Sequence, residues 1–245
     1  VKAAGNEAVI LKSYRFVGTV NASVSLNNLI IVGAIGQNKK IDTDYSNIPG
    51  VSCFLSAFDA ACKEKNFYAY FFVVAPGTNI EAGYGDGSHG TMTGTSMAAP
   101  HVTGVVALLQ GYWPVLKKRA GAVTNIIFHT AQDLGAPGVD MIYGWGMVRA
   151  DKAMSPLGRK YLKKNNKVYS LSSTRLRVSH ALAVLNTESI SFFDKYDRDF
   201  QIPLATFAPS YSGTLDRWMK AENNRSDSSQ KFEDGLSFAV DTEQY

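Results

Sequence analysis

Gly94-Thr95-Ser96-Met97-Ala98-Ala99-Pro100-His101-Val102-Thr103-Gly104 closes a glycine-rich stretch and opens an apolar helix. From Ser96 to Gln110 that helix carries Ala98, Ala99, Val102, Val105, Val106, Leu108 and Leu109 on nearly every face, and a helix with no polar face belongs inside a domain. Ser96 stands in the first turn, where unbonded backbone N–H groups and the positive end of the helix dipole gather. Negative charge forming beside its hydroxyl would be stabilised there. Gly94 permits close approach of another chain segment, and Ala98 and Ala99 leave the helix start uncluttered. Pro100 reads as part of the first turn, where its missing N–H costs little. Two uses of Ser96 fit these residues alone: a nucleophile, or the N-cap of a core helix.

Working outward, Leu29-Ile30-Ile31-Val32-Gly33-Ala34 and Tyr70-Phe71-Phe72-Val73-Val74-Ala75 are short continuous apolar runs, the pattern of strands covered on both faces. Pro76-Gly77 stops the second, and Gly83 to Gly94 reads as loop. Beyond Trp113-Pro114, the three- and four-residue spacing of Leu116, Ala120, Val123, Ile127 and Ala131 predicts an amphipathic helix with Gly135 as its stop. Strands alternating with helices on short connections give an α/β domain with a largely parallel sheet. The character changes near Ser155-Pro156. Residues 1–155 form the α/β domain, and residues 156–245 read as a tail with some β structure, such as the alternating Ser189 to Phe193.

The 245 residues carry a formal charge of +4, and 45% are hydrophobic against 19% charged, so a sizeable core is available. The densest basic stretches, Lys117 to Arg119 and Arg159 to Lys167, lack the interleaved aromatics of a nucleic-acid surface, which argues against nucleic acid as a partner. No apolar run approaches the roughly 20 residues needed to cross a bilayer as a helix. Cys53 and Cys62 lie close together, and on spacing alone they fit a local disulfide or two free thiols equally well.

The run Gly94 to Gly104 resembles the nucleophile signature of the subtilisin-like serine proteases. Other blocks resemble that family in the right order: Ala3-Ala4-Gly5-Asn6-Glu7 the oxyanion-hole block, Ile31 to Ala34 the strand after it, Ala75-Pro76-Gly77 the turn before the nucleophile, and Tyr143-Gly144-Trp145-Gly146 the closing segment. The likeness covers residues 1 to about 154 and is similar in particular to bacterial autotransporter passengers. It implies a three-layer parallel-sheet fold, present here in part, and an acyl-transfer peptidase with Ser96 as nucleophile. It further implies Asn6 as oxyanion donor and Ala3, Ala4 and Gly5 as one wall of a substrate pocket. No cofactor requirement follows from it, and although calcium sites are frequent in the family, no Asp-rich loop here has convincing ligand spacing. Secretion or a cell-surface location is implied, outer-membrane-associated for an autotransporter, and with it a Cys53–Cys62 bridge.

The family's chain order is Asp, His, Ser, so the resemblance places both partners before Val1, in an upstream segment of the same protein, and makes this chain a carboxyl-terminal part. A β-barrel downstream is the corresponding expectation for the tail. His101, five positions after Ser96, sits about 140° around the helix and is expected to pack rather than react. His89, His129 and His180 are no better placed. Alone, the chain is expected to be inactive and to leave strand edges and the apolar surface of Leu29 to Ala34 uncovered. An α/β-hydrolase with Asp140 and His180 downstream of Ser96 is disfavoured, because a strand should precede that nucleophile and Ala98 replaces its second glycine. A non-catalytic binding protein on the same scaffold is the other alternative, weakened by the presence of both Ser96 and Asn6.

Overall fold

Ile31 to Ile35 is buried at every position, which a strand achieves only when both faces are covered. In a computed structural model, residues 1–11, 28–50, 68–83, 85–164, 167–171, 174–178, 189–203, 229–231 and 236–240 are described. They fall into two compact units, Val1–Ser155 and Pro156–Tyr245.

The first unit is built on a parallel sheet of β1 (Lys2–Ala3), β2 (Ile31–Ile35) and β3 (Phe72–Pro76), in the order β1-β2-β3. Side chains alternate across a strand. Ile31 and Ile35 join Ala4, Leu11, Ile41, Tyr68, Phe72 and Val74 in one hydrophobic cluster. Beyond β3 the chain returns as Trp145 to Val148, bonded to it through Val74 N–H to Gly146 O (2.9 Å) and Val148 N–H to Val74 O (3.0 Å). Gly146 is required there: at φ +98° it lies so close to the Gln132 carbonyl that no Cβ fits.

A hairpin of β4 (Ile80–Gly83) and β5 (His89–Met92) follows, where the sequence reads as loop. Two strands with exposed faces give no hydrophobic run to read. Helix α1 (Thr95–Tyr112) packs on all three parallel strands through buried Ala98, Val102, Val105 and Leu109. Burying such valine and leucine side chains contributes about 1.5–3 kcal/mol each. Helix α2 (Ala120–Thr130) packs on α1, and a short α3 (Ala150–Ala153) closes the unit.

Several expectations need correction. The second helix starts at Ala120, not Leu116: Pro114–Leu116 is a separate 3-10 turn, and Arg119 leaves helical geometry at φ −126°, ψ 57°. It ends at Thr130, before Gly135, because Ala131 turns extended. Pro100 is the sixth residue of α1, not in the first turn, so its ring deprives the Ser96 carbonyl of its helical donor. The apolar surface of Leu29 to Ala34 is not uncovered, since Ile30 to Ala34 are buried beneath β1, β3 and α1. The bare apolar surface lies on α1, where Leu108 is 53% and Tyr112 69% exposed, beside Ala150 and Met154.

The second unit is antiparallel. Strands β6 (Tyr161–Lys164), β7 (Lys167–Ser170), β9 (Ser189–Phe193) and β10 (Asp199–Pro203) form one sheet in the order β10-β9-β6-β7. Backbone pairing joins β8 (Thr174–Val178), β11 (Ser229–Lys231) and β12 (Leu236–Val240) in another. Leu162 and Phe192 centre the small core of the first sheet. The turn from β9 to β10 is held by a fully buried ion pair, Arg198 to Asp194 at 2.7 Å.

Candidate active site

Strands β1, β2 and β3 run the same way, so the segments leaving their carboxyl ends gather at one edge, where open parallel sheets place their ligand sites. One such segment is Ala4 to Val9, after β1. The other is Gly77, after β3, which donates its N–H to Ile35 O (3.0 Å) and accepts the Gly94 N–H (2.8 Å). Gly77 thus hangs the start of α1 on the sheet. A Cβ there would lie 2.7 Å from Ala34 Cβ and 2.8 Å from the Gly94 carbonyl oxygen, so only glycine allows the approach.

Gly94 precedes α1 as its N-cap, and no side chain caps the helix. Ser96 is the second helical residue, not the cap, so the structural role that competes for its hydroxyl is not the one it plays. Its side chain is exposed, and Ser96 Oγ makes no hydrogen bond with any described residue. The Ser96 N–H is likewise unbonded among described residues, whereas the Met97 and Ala98 N–H groups both turn back to Gly94 O, at 3.0 and 3.3 Å.

Asn6 is brought across to this turn. Its Oδ1 accepts from the Thr95 N–H (2.9 Å) and from Thr95 Oγ1 (2.8 Å). Thr95, wholly buried, also accepts the Gly5 N–H at 3.1 Å. With Oδ1 committed, Nδ2 is the free end of the amide, and it makes no hydrogen bond with any described residue. Two unspent donors, Asn6 Nδ2 and the Ser96 N–H, therefore border the turn that presents the Ser96 hydroxyl. Such a pair can stabilise an oxyanion formed beside Ser96.

Ala3 is half-buried at the end of β1, while Ala4 is buried in the core cluster, so its methyl faces inward. Gly5 is half-buried and hydrogen-bonded through both its N–H and its carbonyl. Cys53, Cys62 and His180 lie outside the described residues.

The described histidines do not approach Ser96 Oγ within hydrogen-bonding distance. His89 is exposed on β5. His101 is exposed rather than packed, with Nδ1 2.9 Å from Met97 O. His129 is exposed too, Nδ1 2.8 Å from Asn125 O and its ring against Trp145. Asp140 is committed to a turn, accepting the N–H groups of Ala136, Ile142 and Tyr143.

Residues 1–146 match the subtilase family. The chain belongs to that family. This subtilase is 45% identical over 67 residues to an extracellular serine protease of Serratia marcescens, 27% of this chain and 6% of that protein. It is 32% identical over 129 residues to a thermostable alkaline protease of Halalkalibacterium halodurans, 51% of this chain and 34% of that one. Subtilisin BL of Lederbergia lenta is 29% identical over 137 residues, 55% and 49% of the two chains. Among solved structures, the prenylagaramide maturation protease PagA matches at 26% identity with a TM-score of 0.42, over 62% of this chain and 48% of that one. The subtilase chain thus spans less than half the length of each of these relatives.

Two residues of the site carried no signal in the linear reading. Thr95 stood inside the nucleophile run but its grip on Asn6 needs the fold. Asn47 is polar yet buried, in a segment with neither periodicity nor motif.

Proposed function

We propose that this subtilase chain carries the nucleophile and both oxyanion donors of a serine endopeptidase acting on protein or peptide substrates outside the cell. The observation that carries the reading is the pair of unspent donors, Asn6 Nδ2 and the Ser96 N–H, beside an exposed Ser96 hydroxyl that caps nothing. The relatives named above as extracellular or alkaline proteases support both the chemistry and secretion.

In this mechanism Ser96 Oγ attacks the scissile carbonyl and gives its proton to a base. The oxyanion is held by Asn6 Nδ2 and the Ser96 N–H. Collapse breaks the C–N bond, the base returns the proton to the leaving amine, and water then releases the acyl group from Ser96 by the same route. A substrate residue would lie along Ala3 and Gly5, against backbone rather than side chains, while Ala4, expected in that wall, is buried with its N–H bonded to Val32 O and its carbonyl to Asn47. The base and its Asp are assigned to a segment upstream of Val1, as the family's chain order requires. For residues 156–245 the proposed role is connection to a downstream β-barrel, which rests on the resemblance of Tyr143 to Gly146 to autotransporter passengers.

The test compares the complete reading frame, its Ser96→Ala variant and the isolated chain, each treated with a fluorophosphonate probe and a peptide substrate. The complete protein should label and hydrolyse, and the other two should do neither. A serine hydroxyl is a weak nucleophile without its base. Strong Ser96-dependent labelling of the isolated chain would return the search for the base to this chain's own histidines. A reading frame that stops soon after Tyr245 would end the β-barrel proposal and leave the peptidase untouched.

A further inference from the structure

Asn47 is 1% exposed and sits in no strand, helix or described motif, yet its side chain spends its full hydrogen-bonding capacity on one loop. Its Oδ1 accepts the N–H groups of Glu7 (3.1 Å) and Val9 (3.0 Å). Its Nδ2 donates to Ala4 O (3.0 Å) and to Glu7 Oε2 (2.5 Å). The Asn47 backbone N–H donates to Gly5 O at 3.0 Å. Its neighbour Tyr45 accepts the Ala8 N–H at 2.8 Å. Residues 4, 5, 7, 8 and 9 are thus all tied to the segment Tyr45–Asn47, and Asn6 alone turns away, to Thr95.

The segment itself is fixed to the sheet. Ser46, 2% exposed, accepts the Ala34 N–H from β2 (3.0 Å) and donates to Asn47 O (3.2 Å). Nor is there slack between Asn47 and the loop: a Cβ on Gly5 would come within 2.5 Å of Asn47 Nδ2.

We propose that Asn47 is the positioning residue for Asn6, holding the Ala4 to Val9 loop so that the Asn6 amide reaches Thr95 and presents Nδ2 beside Ser96. This rests on the peptidase reading above. An oxyanion donor acts only when held to within about half an ångström of its productive place, and a shift of about 1 Å costs on the order of a hundredfold in rate. Binding of the ground-state substrate is far less sensitive, so the signature of Asn47 is a loss in kcat at nearly constant KM.

The experiment uses the complete protein, with fluorophosphonate titration counting competent sites so that kcat is taken per active molecule. Asn47→Asp keeps the shape and the two acceptor bonds but sets an oxygen against Ala4 O and Glu7 Oε2. The expected result is a kcat lower by about tenfold or more with KM within about threefold. Adding Glu7→Gln supplies an amide donor facing the new carboxylate and should recover several-fold of the lost kcat, a rescue that a general loss of stability would not give. If Asn47→Asp yields no folded protein, Glu7→Ala decides, because that exposed side chain can be removed without touching the core. A kcat lower by about two- to fivefold at unchanged KM supports the proposal. A kcat within twofold of the parent for whichever variant folds, or absence of any rescue, overturns it. Hydrolysis that survives Ser96→Ala in the same background would instead overturn the peptidase reading on which it stands.

Discussion

Thr95 holds Asn6 twice through the same acceptor: Asn6 Oδ1 takes the Thr95 N–H at 2.9 Å and Thr95 Oγ1 at 2.8 Å. One hydroxyl therefore links the loop after β1 to the first turn of α1, since Oγ1 also accepts the Gly5 N–H. The arrangement fixes which end of the Asn6 amide faces outward. A flipped amide would set Nδ2 against the Thr95 N–H, which is unfavourable by the loss of that bond.

Thr95→Val removes the hydroxyl at nearly constant shape and leaves the backbone bond to Asn6. The Gly5 N–H loses its acceptor, and the amide loses about half of its restraint. With a hydrogen bond worth about 1 kcal/mol net, kcat of the complete enzyme should fall by about three- to tenfold while KM holds. Steady-state kinetics on a peptide substrate checks it. An unchanged kcat would mean that the backbone N–H of Thr95 orients Asn6 unaided.

Asn6→Ala removes the donor itself and should be more severe. The expected fall in kcat is about 10²–10³ with little change in KM, because the bond strengthens only as charge develops on the oxygen. That size is carried over from subtilisin, another member of the family, where the equivalent donor has been removed. Asn6 is exposed, but its loss leaves the Thr95 N–H and hydroxyl without their acceptor, so a fall in melting temperature should accompany the loss of kcat, which is therefore taken per labelled site. A normal kcat would take Asn6 out of the oxyanion hole.

The strands of the first unit and the start of α1 were legible because continuous apolar runs such as Ile31 to Ile35 have few other uses. Ser96 and Asn6 were legible only because they sit inside contiguous motifs. What escaped were features fixed at long range. Asn47 looks like any loop asparagine until the fold buries it beneath Glu7 and Val9, and Thr95 looks like a helix-start residue until Asn6 arrives from 89 positions away. The bare face of α1 was misread for the same kind of reason. Leu108 signals burial by type, but what covers a helix face is not local information. The hairpin of β4 and β5 was missed because its glycines and exposed side chains leave no period to detect.

Cys53 and Cys62 should form a disulfide in protein made in an oxidising compartment. Closing a loop of about ten residues contributes roughly 2–3 kcal/mol on the chain-entropy account, and secreted proteins keep such bonds. Peptide mapping after alkylation without reduction should recover one bridged pair. Recovery of two alkylated cysteines would count against the bridge and against the proposed secretion together.

Damage confined to the second unit should leave the chemistry of the first intact. Asp194 and Arg198 are each 0% exposed, and the Asp194 carboxylate accepts from Arg198 Nε (2.9 Å) and Nη2 (2.7 Å) as well as from the backbone N–H groups of Leu157, Tyr196 and Arg198 itself. The pair therefore staples the turn between β9 and β10 to the segment that enters the unit. Arg198→Met keeps the apolar stem but leaves a buried carboxylate without its cation, a change that costs about 3–5 kcal/mol. A unit of this size has only about 5–13 kcal/mol of total stability. Its unfolding transition should therefore drop by roughly 12–40 °C, at about 4–8 °C per kcal/mol. All the residues assigned to the chemistry lie before Ser155, in the other unit. Peptide hydrolysis per fluorophosphonate-labelled site, measured below the lowered transition, should match that of the parent protein. Calorimetry of the complete protein reads the first effect and active-site titration the second. A fall in kcat that tracks the lost transition would show that residues 156–245 take part in building the site, and the proposal that they serve only as a connection would be withdrawn.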